Sequence, residues 1–285
     1  MEQSNSAHNF KIYNILIVAF VALCCEQILH EVCHGIAALL VGASWDQLWF
    51  WASASSWPEG ASPGLWQQMI ISGSAAVLNI LCALVCIALF NRNGMVQKPF
   101  VRLFLLYFGG YSLFAGFGYL FFDPIFANPK SAGDWAKIVM LLGGGWNVRL
   151  PILLIGVAGT VYGYFWVGKA ALQFTSGDMA DPVNRKKTGT TLLLLPYLFV
   201  NAAFTILAIW HPLGVKGLFV VSLKLWSGFS GFLWAYLIKY QWGKYHGPFA
   251  NETPIPDQLN RNGLIVAVVM LLVIVFILLP GVRIS

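Results

Sequence analysis

The chain has 285 residues, 58% of them hydrophobic and only 10% charged, with a mean hydropathy of +0.71. So few charges cannot cover a water-soluble surface of this size, and several apolar runs reach the roughly 20 residues that cross a bilayer, which excludes a soluble one- or two-domain protein. The net charge of +6 comes from Lys and Arg scattered over loops and helix ends without a long basic tract, so the expected surroundings are a lipid bilayer and no nucleic acid.

The expected fold is all-α, a polytopic transmembrane helical bundle of about seven spans plus one short partial or re-entrant helix. The first span, 12–41, opens on an apolar run, 12–25, that follows Lys11; what comes after that run is Glu26 and a histidine pair and not a small-residue cleavage site, so it reads as a retained span rather than a signal peptide. The loop after it, 42–65, carries Trp45, Trp49, Trp51 and Trp57 with almost no charge, and reads as an interfacial loop at headgroup level in preference to a substrate-capture segment. Further spans are expected at 66–90, 100–122, 148–171, 190–210, 213–239 and 264–279. Between the third and fourth, 131–143 follows Pro129, ends in Gly143-Gly144-Gly145, and is too short to cross a bilayer. No internal repeat is evident, and no loop is long enough for a separate soluble domain.

With the N-terminus in the cytoplasm, eleven basic residues fall on the inner side, among them Lys11, Lys244 and the cluster Arg185-Lys186-Lys187; six, among them Lys130 and Lys137, fall on or near the outer side. The positive-inside rule then favours an inner N-terminus and an outer C-terminus. The cysteines Cys24, Cys25, Cys33, Cys82 and Cys86 all lie in apolar segments and read as packing residues. Lys224, within the sixth span, reads as a lysine snorkelling outward, without an assigned role.

The chemistry concentrates in His30-Glu31-Val32-Cys33-His34. Histidines at i and i+4 share one helical face, so both imidazoles can reach a single metal ion. Glu31 stands beside them, placed to take a proton from a water that the metal acidifies. Two histidines and a glutamate in an apolar helix are costly unless they are partnered or face water. A catalytic zinc takes three protein ligands, and two aspartates compete for the third place. Asp134 opens the short helix, with Gly133 before it; Asp123, in Asp123-Pro124, reads more readily as a turn or helix-end residue, so the context favours Asp134. His30 lies near the outer end of the first span and Asp134 follows the third span, which ends on the same side.

Glu26, one turn before His30, reads either as an acceptor that orients a histidine or as a group facing a water-filled cavity. Asn79, strongly polar amid the small and apolar residues of the second span, is a candidate substrate contact, holding a peptide backbone or an oxyanion, or else an interhelical hydrogen bonder. His211 and His246, beside prolines at span ends, read as interfacial residues, and His8 sits in the polar N-terminal tail.

On His30-Glu31-Val32-Cys33-His34-Gly35 in the first span, an Asn-bearing second span and Gly133-Asp134-Trp135, the sequence resembles the site-2 protease family of intramembrane metallopeptidases. The resemblance covers roughly 12–143. The family's Leu-Asp-Gly is here Asp134-Trp135, and its Gly-Pro-x-x-Asn is reduced to small residues before Asn79. It implies His30, His34 and Asp134 as ligands of one Zn2+, Glu31 as general base, and cleavage of a transmembrane or membrane-adjacent protein substrate. The chain then divides into a metallopeptidase-like membrane core, 1–147, and additional transmembrane helices, 148–285, without an assigned role.

Two other classes compete: a membrane metalloprotein that cleaves no peptide, and a transporter or channel using Glu26, His30 and Glu31 as a proton or ion relay. Structural zinc is normally closed by four ligands, so a free Glu31 argues against a purely structural site, and the missing duplication argues against a transporter. Histidine-rich iron hydroxylases need more than the 5 histidines present.

Overall fold

The structure, a computed structural model, describes residues 3–92, 94, 97–129, 133–175, 179–243 and 253–284, with side chains from residue 11 onward. Lys130, Ser131, Ala132, Lys244 and His246, and the side chain of His8, lie outside the described residues.

Among the described residues, seven helical stretches are long and apolar enough to cross a membrane: Lys11–Leu40, Leu65–Phe90, Pro99–Phe126, Trp146–Phe174, Pro182–Trp210, Gly214–Gln241 and Arg261–Leu278. The chain is a multi-pass membrane protein with an all-α transmembrane bundle. In hydrocarbon every backbone N–H and C=O needs a partner within its own segment, which these helices supply. The third span is the hub: 78% of its apolar window is buried against 17% for the last span, which lies at the periphery. Small residues bring its neighbours close, since a Cβ on Gly116 would meet Ala76 O at 2.9 Å and one on Gly156 would meet Phe121 N at 2.4 Å.

The helices that matter for the site are α1 (Gln3–Leu40), α2 (Leu65–Phe90), α3 (Pro99–Phe126) and α4 (Asp134–Leu141). The expected short helix is therefore present, starting at Asp134 with Gly133 as its N-cap. It stops at Gly143 and Gly144, whose φ of 93° and 69° only glycine adopts without strain. The fifth span starts at Pro182, earlier than the apolar run indicates, because Asp181 caps it and Arg185 is folded inward to Tyr240 O and Met179 O.

The tryptophan-rich loop after α1 departs from the expected interfacial loop. It is a hairpin of β1 (Ser44–Leu48) and β2 (Ser53–Ser56), joined by β3 (Val282–Arg283) in a three-stranded antiparallel sheet of order β2-β1-β3. Trp51 is buried rather than lodged among headgroups. Its ring meets Phe50 and Phe204 at 4.7 and 5.9 Å, and its Nε1–H donates to Leu207 O.

Candidate metal centre and active site

Consecutive spans alternate in direction, so one end of the bundle gathers the end of α1, the start of α2, the end of α3, all of α4, and the turn between the fifth and sixth spans. A cavity of about 490 Å3 opens there, and His30, Glu31, His34, Asp134, His211 and Lys224 are among the residues lining it.

One helical turn separates His30 from His34, and α4 brings Asp134 to both. Asp134 Oδ2 lies 3.3 Å from His30 Nε2 and 3.3 Å from His34 Nε2. The three ligand atoms lie within 4.8 Å of one another, the one such group of His, Cys, Asp and Glu among the described residues. Two ligands on a tetrahedral zinc with bonds of about 2.0–2.1 Å stand about 3.3 Å apart, so both the donor set and its spacing fit that ion. Burial opposes ionisation of Asp134, but the two histidines outweigh it and hold its carboxyl well below the usual carboxylate range.

Partners behind the ligands set their orientation. His34 Nδ1 lies 2.7 Å from Ile71 O, so that nitrogen carries a proton, and Nε2, which faces Asp134, is the atom that would offer a lone pair to a metal. His30 Nδ1 lies 3.2 Å from Asn79 Nδ2, which also donates to Glu26 Oε1 at 2.9 Å. In this arrangement His30 Nδ1 accepts; for His30 to offer Nε2 the proton must move to Nδ1, and Asn79 must turn its amide oxygen toward the ring. Tyr119 of α3 stacks on His30, centroids 5.3 Å apart and planes at 23°.

Glu31 is buried beside the histidines. Its Oε1 accepts a hydrogen bond of 2.8 Å from Gln27 Nε2, and the residue is among those lining the cavity. Asn79, expected at the substrate, lies behind His30 and holds it to Glu26; it is not among the residues lining the cavity. Glu26 is linked to His30 only through Asn79 and is not among the residues lining the cavity.

The two aspartates divide their work. Asp123 does not reach the histidines; its Oδ2 accepts from the backbone N–H of Trp135 at 2.8 Å and of Ala136 at 3.2 Å, so it caps α4 from the neighbouring helix. Gly133 makes this possible, since a Cβ there would stand 2.5 Å from Asp123 Oδ1.

Lys224 does not snorkel outward. It opens a π-helical turn, Lys224–Gly228, and its Nζ lies 2.8 Å from Gln27 Oε1, 3.6 Å from Glu26 Oε1 and 5.6 Å above the Tyr119 ring. His211 is also drawn inward rather than left at the interface, and its Nδ1 accepts from Leu213 N. Burial lowers its affinity for a proton. The sequence signalled Lys224 only as a charge inside an apolar span, and Gln27 only as the residue one turn before Glu31. Comparisons with protein-family models, curated proteins and solved structures give no match to this chain.

Proposed function

We propose that the chain is a zinc-dependent intramembrane endopeptidase of the site-2 protease type, acting on transmembrane or membrane-adjacent protein segments. The observation that carries this is the convergence of His30, His34 and Asp134 within 4.8 Å, with Glu31 beside them at the wall of one cavity. His30, His34 and Asp134 would hold the zinc, which when bound would supply Lewis acidity to the scissile carbonyl and acidify a water. Glu31 takes the water's proton on its carboxylate and returns it to the leaving amine nitrogen. Asn79 and Ile71 O orient the two imidazoles, and Asp123 holds the helix that presents Asp134. Ser53, Ala54 and Ser55 of β2, the outer strand of the small sheet, line the same cavity. An extended peptide laid along that strand finds backbone donors and acceptors in register, which suits a segment unwound for cleavage.

The basic residues favour a cytoplasmic N-terminus, which places the site toward the opposite face. Single cysteines at Lys187 and Glu59 in a cysteine-free chain, labelled with an impermeant maleimide in sealed vesicles, test this. Labelling of Glu59→Cys from the cytoplasmic face would reverse the orientation.

The decisive measurement is zinc per chain on detergent-purified protein, together with cleavage of a transmembrane peptide. About one zinc, kept in Glu31→Gln and lost in His30→Ala and Asp134→Ala, with cleavage lost in all three, is the expected result. Wild-type protein that takes up no divalent metal would remove the basis for the proposal.

A further inference from the structure

The buried cation at the site has no place in the chemistry described so far. Lys224 is only 11% exposed within an apolar span, where an uncompensated charge is costly. It comes from the sixth span, and its neighbours on α1 are Gln27 and Glu26.

We infer that Lys224 is a positioning residue, setting the Glu31 carboxylate through Gln27 and the His30 ring through Glu26 and Asn79. The first branch follows from the polarity of an amide. The Gln27 oxygen faces Lys224 Nζ at 2.8 Å, so its NH2 group faces the other way, and from there Nε2 donates to Glu31 Oε1 at 2.8 Å and to Phe50 O at 3.1 Å. A cation tolerates only the oxygen end of that amide. Without Lys224 the oxygen end of the amide loses its cationic partner, and the side chain is held only by Phe50 O and the Glu31 carboxylate it is meant to position. The second branch runs from Nζ to Glu26 Oε1 at 3.6 Å and on to Asn79, whose Nδ2 donates to Glu26 and whose amide oxygen would face the His30 ring once Nδ1 carries the proton. One side chain from the sixth span thus fixes both the base and a ligand histidine on α1, and ties the later half of the chain to the site.

The competing explanation is that Lys224 merely neutralises Glu26. The double variant Glu26→Gln/Lys224→Met separates the two, because it leaves no unpaired charge yet releases Gln27. The role assigned to Lys224 rests on the metallopeptidase proposal, so its primary readout is the metal and not turnover. Full-length protein in detergent is titrated with Co2+ as the probe, following visible absorption and affinity, with folding checked by thermal unfolding. The expected result is a double variant as stable as wild type that still binds one Co2+, with shifted bands and affinity roughly ten-fold weaker. Lys224→Arg should restore both in large part. On a cleavable peptide the double variant should lose about ten-fold or more in kcat with little change in KM. A double variant with wild-type spectrum and affinity would overturn the assignment. If wild type binds Co2+ but cleaves nothing, the chain is not a peptidase, and the spectrum alone decides the role of Lys224; if it binds no metal, both proposals fall. Should the double variant not fold, Gln27→Met, which keeps both charges, must show the same spectral shift, and its absence overturns the inference.

Discussion

Asp123 Oδ2 accepts the backbone amide protons of Trp135 and Ala136, so one aspartate holds the N-terminus of the helix whose first residue, Asp134, reaches both histidines. The two acids are therefore not interchangeable. Asp134→Asn replaces the proposed anionic ligand with a neutral amide, a far weaker zinc ligand, and metal binding should be lost. Asp123→Ala leaves the ligands intact but frees two amides at the start of α4, costing about 0.5–2 kcal/mol and weakening metal affinity by roughly ten-fold. Gly133→Ala should behave like Asp123→Ala, because its Cβ would stand 2.5 Å from Asp123 Oδ1. Competition with a chelator of known affinity reads all three, and equal losses in Asp134→Asn and Asp123→Ala would refute this division of labour.

Removing the metal provides a second prediction. A membrane-permeant chelator should abolish cleavage, and restored zinc should recover it in wild type but not in Glu31→Gln, whose ligands are whole and whose base is gone. Glu31→Gln should also retain wild-type thermal stability, since its amide oxygen can still accept from Gln27 Nε2. Cleavage by metal-loaded Glu31→Gln at more than about one-hundredth of the wild-type rate would remove Glu31 from the role of base.

What was legible in the sequence was what depends on neighbours along the chain. The seven spans follow from the length of apolar runs, and the pairing of His30 with His34 follows from the pitch of a helix. Asp134 was reachable because counting spans places it at the same end of the bundle as His30. The hairpin was not legible: its strands are four and five residues long, rich in Ser, and completed by Val282 and Arg283 from the far end of the chain. Lys224 and Asp123 were equally hidden, because their partners Gln27 and Trp135 lie on other helices, and only tertiary packing brings them together.

Gly35, directly after His34, tests how tightly the hairpin is seated. A Cβ at this position would fall 2.1 Å from the Trp45 ring of β1, so Gly35→Ala must push that indole away or rotate the end of α1. Overpacking of this kind costs about 1–3 kcal/mol. The expected outcome is a lower midpoint of thermal unfolding and a weakened metal site, because His34 sits on the same turn. An unchanged midpoint would show that Trp45 has room to move.

Trp51 tests whether the hairpin wall of the cavity depends on its anchor in the fifth span. The ring is 6% exposed, packs on Phe50 and Phe204, donates to Leu207 O, and also lines the cavity. Trp51→Ala removes this anchor, and by the usual cost of emptying a buried aromatic site should destabilise the protein by about 3–5 kcal/mol. Trp51→Phe keeps most of the packing but loses the hydrogen bond and part of the ring volume, at about 1–3 kcal/mol. The proposed metal ligands lie on α1 and α4, so metal stoichiometry should survive in the phenylalanine variant. Ser53 to Ser55 should then be held less firmly against an incoming peptide, and KM should rise more than kcat falls. If Trp51→Phe instead lost metal while keeping its KM, the hairpin would be supporting the ligands rather than the substrate wall, and the place given to β2 in peptide binding would have to be withdrawn.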